Sequence, residues 1–77
     1  MRLHSADVEL VVCIKNDEYP ASLEIRKIYR AIRDEAAVKL GLIRVIDESG
    51  ESYIYPKDYF IPIELPESAI DIIFAVA

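Results

Sequence analysis

A chain of 77 residues and 8.8 kDa is long enough for one small hydrophobic core and too short for two. Hydrophobic residues make up 53% of it, which separates it from disordered chains. Its 14 acidic against 9 basic side chains give a net charge of -5, which opposes a phosphate-rich partner. The expectation is one folded domain over residues 1–77 that binds no nucleic acid.

Met1 to Asp7 lacks the apolar core of a signal peptide, and the apolar stretch Ile72 to Ala77 is far shorter than the ~20 residues that span a bilayer. The tail carries Asp71 and no basic face for anionic lipid, so no membrane partner is expected. Cys13 is the single cysteine, whereas a small secreted domain relies on several. A cytoplasmic location follows as the expectation.

In chain order, Val8 to Ile14 is a β-branched apolar run that reads as a buried strand, closed by the polar stretch Lys15-Asn16-Asp17-Glu18. Residues 21–40 give two answers. Ile25, Ile28, Tyr29 and Ile32 fall at i, i+3, i+4 and i+7, with Ser22 as an N-cap and Gly41 as a stop, which is a helical pattern. The same residues are β-branched and aromatic enough for a strand. Asp34 to Leu40 is a better local helix, with acids in its first turn, Lys39 near its end and Gly41 beyond it.

Leu42 to Ile46 and Ser52 to Tyr55 are two strand-like runs separated by Asp47-Glu48-Ser49-Gly50-Glu51, a hairpin signature. Pro56 donates no backbone hydrogen bond and ends the second run. Pro56 to Tyr59 then suits one tight helical turn. Phe60 to Ile63 resumes as a strand that Pro62 confines to an edge. Pro66 and Glu67 open a C-terminal helix with Ile70, Ile73 and Phe74 on one stripe, although Ile70 to Val76 reads equally as a strand.

This order of elements resembles a Src-homology-3-like barrel. The specific part is Ser52-Tyr53-Ile54-Tyr55-Pro56-Lys57-Asp58-Tyr59-Phe60, which looks like that fold's passage from a strand into a one-turn helix, and the hairpin 45–51, which resembles its distal loop. The chain also resembles small uncharacterised bacterial proteins with this barrel, a kinship that brings no activity with it. The resemblance implies a mainly β fold: a five-stranded barrel over about residues 8–63, a short helix near 34–40 and a C-terminal helix near 66–75. It makes residues 25–32 the second strand. The alternative is an α+β fold with a helix over 22–39 packed on a small antiparallel sheet.

In peptide-binding members of the family, the proline and tyrosine of the one-turn helix line a groove with acids from the first long loop and a tryptophan from the third strand. Pro56 and Tyr59 match that pair, with Tyr55 beside them, and Asp17, Glu18 and Tyr19 occupy the first loop. The tryptophan has no counterpart in this sequence. These six residues form the candidate surface for a protein or peptide partner.

Other chemistry has little footing. Tyr53 and Tyr55 share one face of their strand, so both face outward if Ile54 fills the core. His4 and Cys13 are too few for a structural zinc site, Cys13 reads as a packed thiol, and neither Gly41 nor Gly50 opens a phosphate loop. Residues 41–77 hold two basic and seven acidic side chains, while residues 1–40 balance at seven each. The acids fall mostly in expected turns, where solvation explains them. Arg26, Lys27, Arg30 and Arg33 form the opposing basic cluster. The sum is a non-enzymatic interaction or regulatory module with no catalytic residue, metal or cofactor. The alternative is a structural protein that forms a homodimer or larger assembly through Ile70, Ile73 and Phe74 of its apolar segment 66–77.

Overall fold

The computed structural model of the chain describes residues 8–73, without the side chains of Asp71 and Ile73. His4, Phe74 and the end of the expected C-terminal helix lie outside the described residues. The fold is mainly β. Its strands are β1 (Val8–Cys13), β2 (Ile28–Ile32), β3 (Leu42–Ile46), β4 (Ser52–Pro56) and β5 (Phe60–Ile63), with helices α1 (Glu35–Lys39) and α2 (Glu67–Ile73). All five strands form one antiparallel sheet in the order β4-β3-β2-β1-β5.

The helix expected as an alternative over 22–39 does not form. β2 occupies its middle, in register with β1 (Tyr29 opposite Val11) and with β3 (Ala31 opposite Val45). The strand begins at Ile28 rather than Ile25, because Arg26 takes a left-handed φ of 71° in the turn before it. Tyr29 and Ala31 point into the core while Ile28, Arg30 and Ile32 are half-buried on the other face. Ile28 and Ile32 on the face opposite Tyr29 gave the segment its helical period, and hydrogen-bonded partners on either side make it a strand.

Local rules account for the connections. Asp34 caps α1 by accepting the Ala37 N–H, and Gly41 takes the positive φ of 73° that turns the chain into β3. In the β3–β4 hairpin, Asp47 Oδ1 accepts the Ser49 N–H at 2.8 Å, and Gly50 sits at φ 84°. Pro56 hands β4 to a single 3-10 turn, Lys57–Tyr59.

The expected closure into a barrel is corrected: β4 and β5 are the two ends of the strand order and do not pair. The 3-10 turn between them carries the chain across the core, so side chains make the closure instead of backbone. Tyr55 of β4 packs edge-on to Phe60 of β5 with ring centroids 6.3 Å apart. Around them lie Val11, Cys13, Leu23, Tyr29, Ala31, Val45 and Tyr59. Leu23 comes from the long first loop and is among the most fully buried side chains of the core.

α2 has no substantial packing against another element among the described residues. Ile70 is half-buried, and Ile72 is 78% exposed. No helix of the described residues is long and apolar enough to cross a membrane.

Candidate functional site

The six residues of the expected groove do come together, and Tyr19 is the centre of the group. Its ring meets Tyr55 at 5.0 Å and Tyr59 at 6.2 Å, both in edge-on geometry. The cluster is packed inward. Tyr55 and Tyr59 are 3% and 9% exposed. The Tyr59 hydroxyl donates to the Asp17 carbonyl at 2.9 Å, and the Tyr55 hydroxyl donates to Asp47 Oδ2 at 2.6 Å. Asp17 and Glu18 are exposed, while Tyr19 and Pro56 are half-buried. Their arrangement pins the first loop to the sheet; the Tyr59 hydroxyl is spent on that task and the Tyr55 hydroxyl on the hairpin carboxylate.

The orientation expected for β4 follows from which residue fills the core, and that residue is Tyr55. Ile54 is 41% exposed and so is not the core residue. Tyr53, on the face of Tyr55 but nearer the hairpin end, is 51% exposed.

Asp47 and Glu48 depart from the expectation that the acids are merely solvated. Asp47 is 6% exposed. Its burial works against the charge, yet the donors Ser49 and Tyr55 outweigh that and hold its carboxyl below the usual range. Glu48 accepts from Lys27 Nζ at 2.6 Å and from the Tyr29 hydroxyl at 2.8 Å, and both contacts lower its pKa. Tyr29 in turn accepts the Glu24 N–H at 2.8 Å. Asp47-Glu48-Ser49 thus ties the hairpin to the long loop. The signal that could have located this is the spacing Asp-x-Ser-Gly, which builds a self-bonded turn with a carboxylate inside it.

The reactive side chains are committed structurally. Cys13 is buried, donates to the Lys15 carbonyl, and burial pushes its thiol pKa up. No group of three or more metal-ligating side chains occurs among the described residues.

The concave feature lies elsewhere. A cavity of about 990 Å³ opens at the α1 end of the sheet, floored by Val11, Ala31, Ile43 and Phe60. Val38 of α1, 58% exposed, stands at its edge. Arg33, Lys39 and Lys57 reach it from the rim and make no ion pair with a described residue, whereas Arg44 there is paired with Asp34 at 2.8 Å. Sequence reading missed this site because its floor comes from four different strands, and periodicity along any one of them marks those residues only as core.

Compared with known proteins, the chain matches no family model, no curated protein and no solved structure.

Proposed function

We propose that the protein is a non-enzymatic interaction module built on an open five-stranded sheet with the element order of the Src-homology-3-like fold, acting in the cytoplasm, that holds a protein or peptide partner at the cavity between α1 and the sheet. The observation that carries this reading is the cavity itself: an apolar floor of four side chains with a mixed charged rim, where Arg33, Lys39 and Lys57 stand beside Glu9, Glu35 and Asp58 with no ion pair to a described residue. Val38, 58% exposed, leaves an apolar side chain at the edge of the cavity for an extended chain to cover. The engaged tyrosine hydroxyls and the occluded Cys13 thiol support a role without chemistry.

A photo-crosslinking residue at position 38 tests the placement against the same probe at position 53. The reading expects capture of one partner from 38 alone, and loss of that partner's binding in a Val38→Asp variant that remains folded. Equal capture from both positions, or binding unchanged by Val38→Asp, rejects it.

A second reading, assembly through the C-terminal segment, draws on one observation: Ile72 is 78% exposed on a helix with no substantial packing against another element among the described residues. It expects Ile72→Lys to lower the mass seen by light scattering. A monomer before and after that change rejects it.

A further inference from the structure

An open sheet has two free edges, and in this chain they are not equivalent. Where β1 pairs with β5, the flanking Ile14 N–H bonds the Tyr59 carbonyl, and the register pairs Val12 with Ile61 and Leu10 with Ile63. Antiparallel alternation therefore turns the backbone N–H and C=O of Ile61 and Ile63 toward β1 and the backbone groups of Phe60 and Pro62 away from it. Neither outward residue has a donor to offer: the Phe60 N–H is used by the Lys57 carbonyl, and Pro62 has none. The β5 edge is closed to strand addition.

The β4 edge is open. The Lys57 N–H bonds the Gly41 carbonyl and the Asp47 N–H bonds the Glu51 carbonyl, so with the β3–β4 register residues 51, 53, 55 and 57 spend their backbone groups on β3. Ser52, Ile54 and Pro56 turn theirs outward, where no described residue pairs with them. The strand from 52 to 56 carries no charge and no proline before its last residue, so nothing within it guards the edge.

We propose that this edge pairs antiparallel with the same strand of a second copy, centred on Ile54. A two-fold axis there makes Ile54 exchange both backbone hydrogen bonds with its counterpart, and the Ser52 N–H meets the Pro56 carbonyl of the other chain. The Pro56 nitrogen is the one outward group on the strand that brings no donor.

Charge selects a second copy over an unrelated strand. In this register Glu51 stands opposite Lys57 of the other chain, and the two-fold axis makes the contact twice. Both residues are exposed and make no ion pair with a described residue. Opposite charges facing across strands stabilise the pairing and like charges oppose it.

The ladder is short, so the dimer is a weak one that shows over a concentration series from about 10 μM to 1 mM. Sedimentation equilibrium of the full chain reads it. The expectation is a monomer–dimer equilibrium that Ile54→Pro weakens at least tenfold while circular dichroism stays native, because the Ile54 N–H serves no bond to β3. Ile54→Lys repeats the test without touching the backbone. Glu51→Lys and Lys57→Glu each raise the dissociation constant severalfold, and the double exchange restores it. A monomer throughout the series overturns the proposal. So does a dimer indifferent to both Ile54 variants, or charge variants that the double exchange fails to rescue. A dimer lost only in Ile72→Lys places assembly at the C-terminal segment and overturns the edge pairing in the same experiment.

Discussion

The Tyr55 hydroxyl donates a 2.6 Å hydrogen bond to Asp47 Oδ2 across the β3–β4 hairpin, between two residues that are both buried. One bond joins the side chain that closes the core to the carboxylate that shapes the turn. Tyr55→Phe keeps the ring and removes the donor, leaving a buried carboxylate oxygen short of one partner. The expected cost is about 1–3 kcal/mol. It is read as a lower urea midpoint with an unchanged slope. An unchanged midpoint shows that water replaces the hydroxyl without cost.

Acid stability rests on the same carboxylate and two others. Asp34 is lowered by the Arg44 guanidinium and the Ala37 N–H, Glu48 by Lys27 and Tyr29, and Asp47 by Ser49 and Tyr55 against its burial. In each case the folded pKa lies below the unfolded one, so the folded state binds fewer protons. Their stabilisation is fully present above the unfolded values of about 3.9 for Asp and 4.3 for Glu, and is lost as pH falls through the folded ones. The alkaline side has the opposite sign. Burial and the neighbouring Asp47 push Tyr55 up to about 12, and burial also raises Tyr29 and Tyr59. Their contribution holds below about pH 10, the unfolded tyrosine value, and is lost as pH rises through the folded values. Thermal melts from pH 2 to 12 are expected to show a plateau with two falling limbs. Asp47→Asn flattens the acid limb if the carboxylate is one of its sources, and leaves it unaltered if it is not.

The sequence made most of this fold legible because its punctuation is local. Gly41, Gly50, Pro56 and Pro66 act on their immediate neighbours, and each stands at the boundary where its chemistry places it. The ambiguity at 25–32 is of another kind. Ile28 and Ile32 face away from the core and remain half-buried, so the strand shows no alternation for a reader to find. Of the residues of the expected groove, Tyr19, Tyr55 and Tyr59 pack on one another and Tyr59 bonds Asp17. Their burial was not visible, since it depends on Tyr19 folding back from a loop whose path is set by long-range bonds such as Tyr59 to Asp17. The cavity was illegible because Val11, Ala31, Ile43 and Phe60 of its floor come from four strands that only the sheet brings together.

Backbone handedness gives a further check at the junction of α1 and β3. Gly41 holds φ 73°, and a Cβ built there meets nothing within 4 Å. Any penalty of Gly41→Ala therefore comes from the left-handed conformation alone, about 1–2 kcal/mol. Gly41→Asn is expected to cost less, because asparagine tolerates that region. Equal losses for Ala and Asn in equilibrium unfolding would point to a tertiary cause instead.

The contact between Tyr59 and the first loop separates a structural from a recognition role for the tyrosine cluster. Tyr59 sits in the 3-10 turn, and its hydroxyl reaches 42 residues back along the chain to the Asp17 carbonyl. Tyr59→Phe preserves the edge-on packing with Tyr19 and removes only that bond, at an expected cost of about 0.5–1.5 kcal/mol. Tyr19→Ala removes the packing itself and is expected to cost more, because Tyr19 is the ring that both Tyr55 and Tyr59 meet. Amide exchange supplies the deciding readout. If the cluster is a pin, residues 16–24 lose protection in both variants while the β1–β2 ladder keeps it, since the Tyr19 and Leu23 amides bond only within the loop. If Tyr59→Phe leaves loop protection intact and instead weakens capture of the partner, the hydroxyl belongs to a recognition surface, and the interaction site moves from the cavity to this cluster.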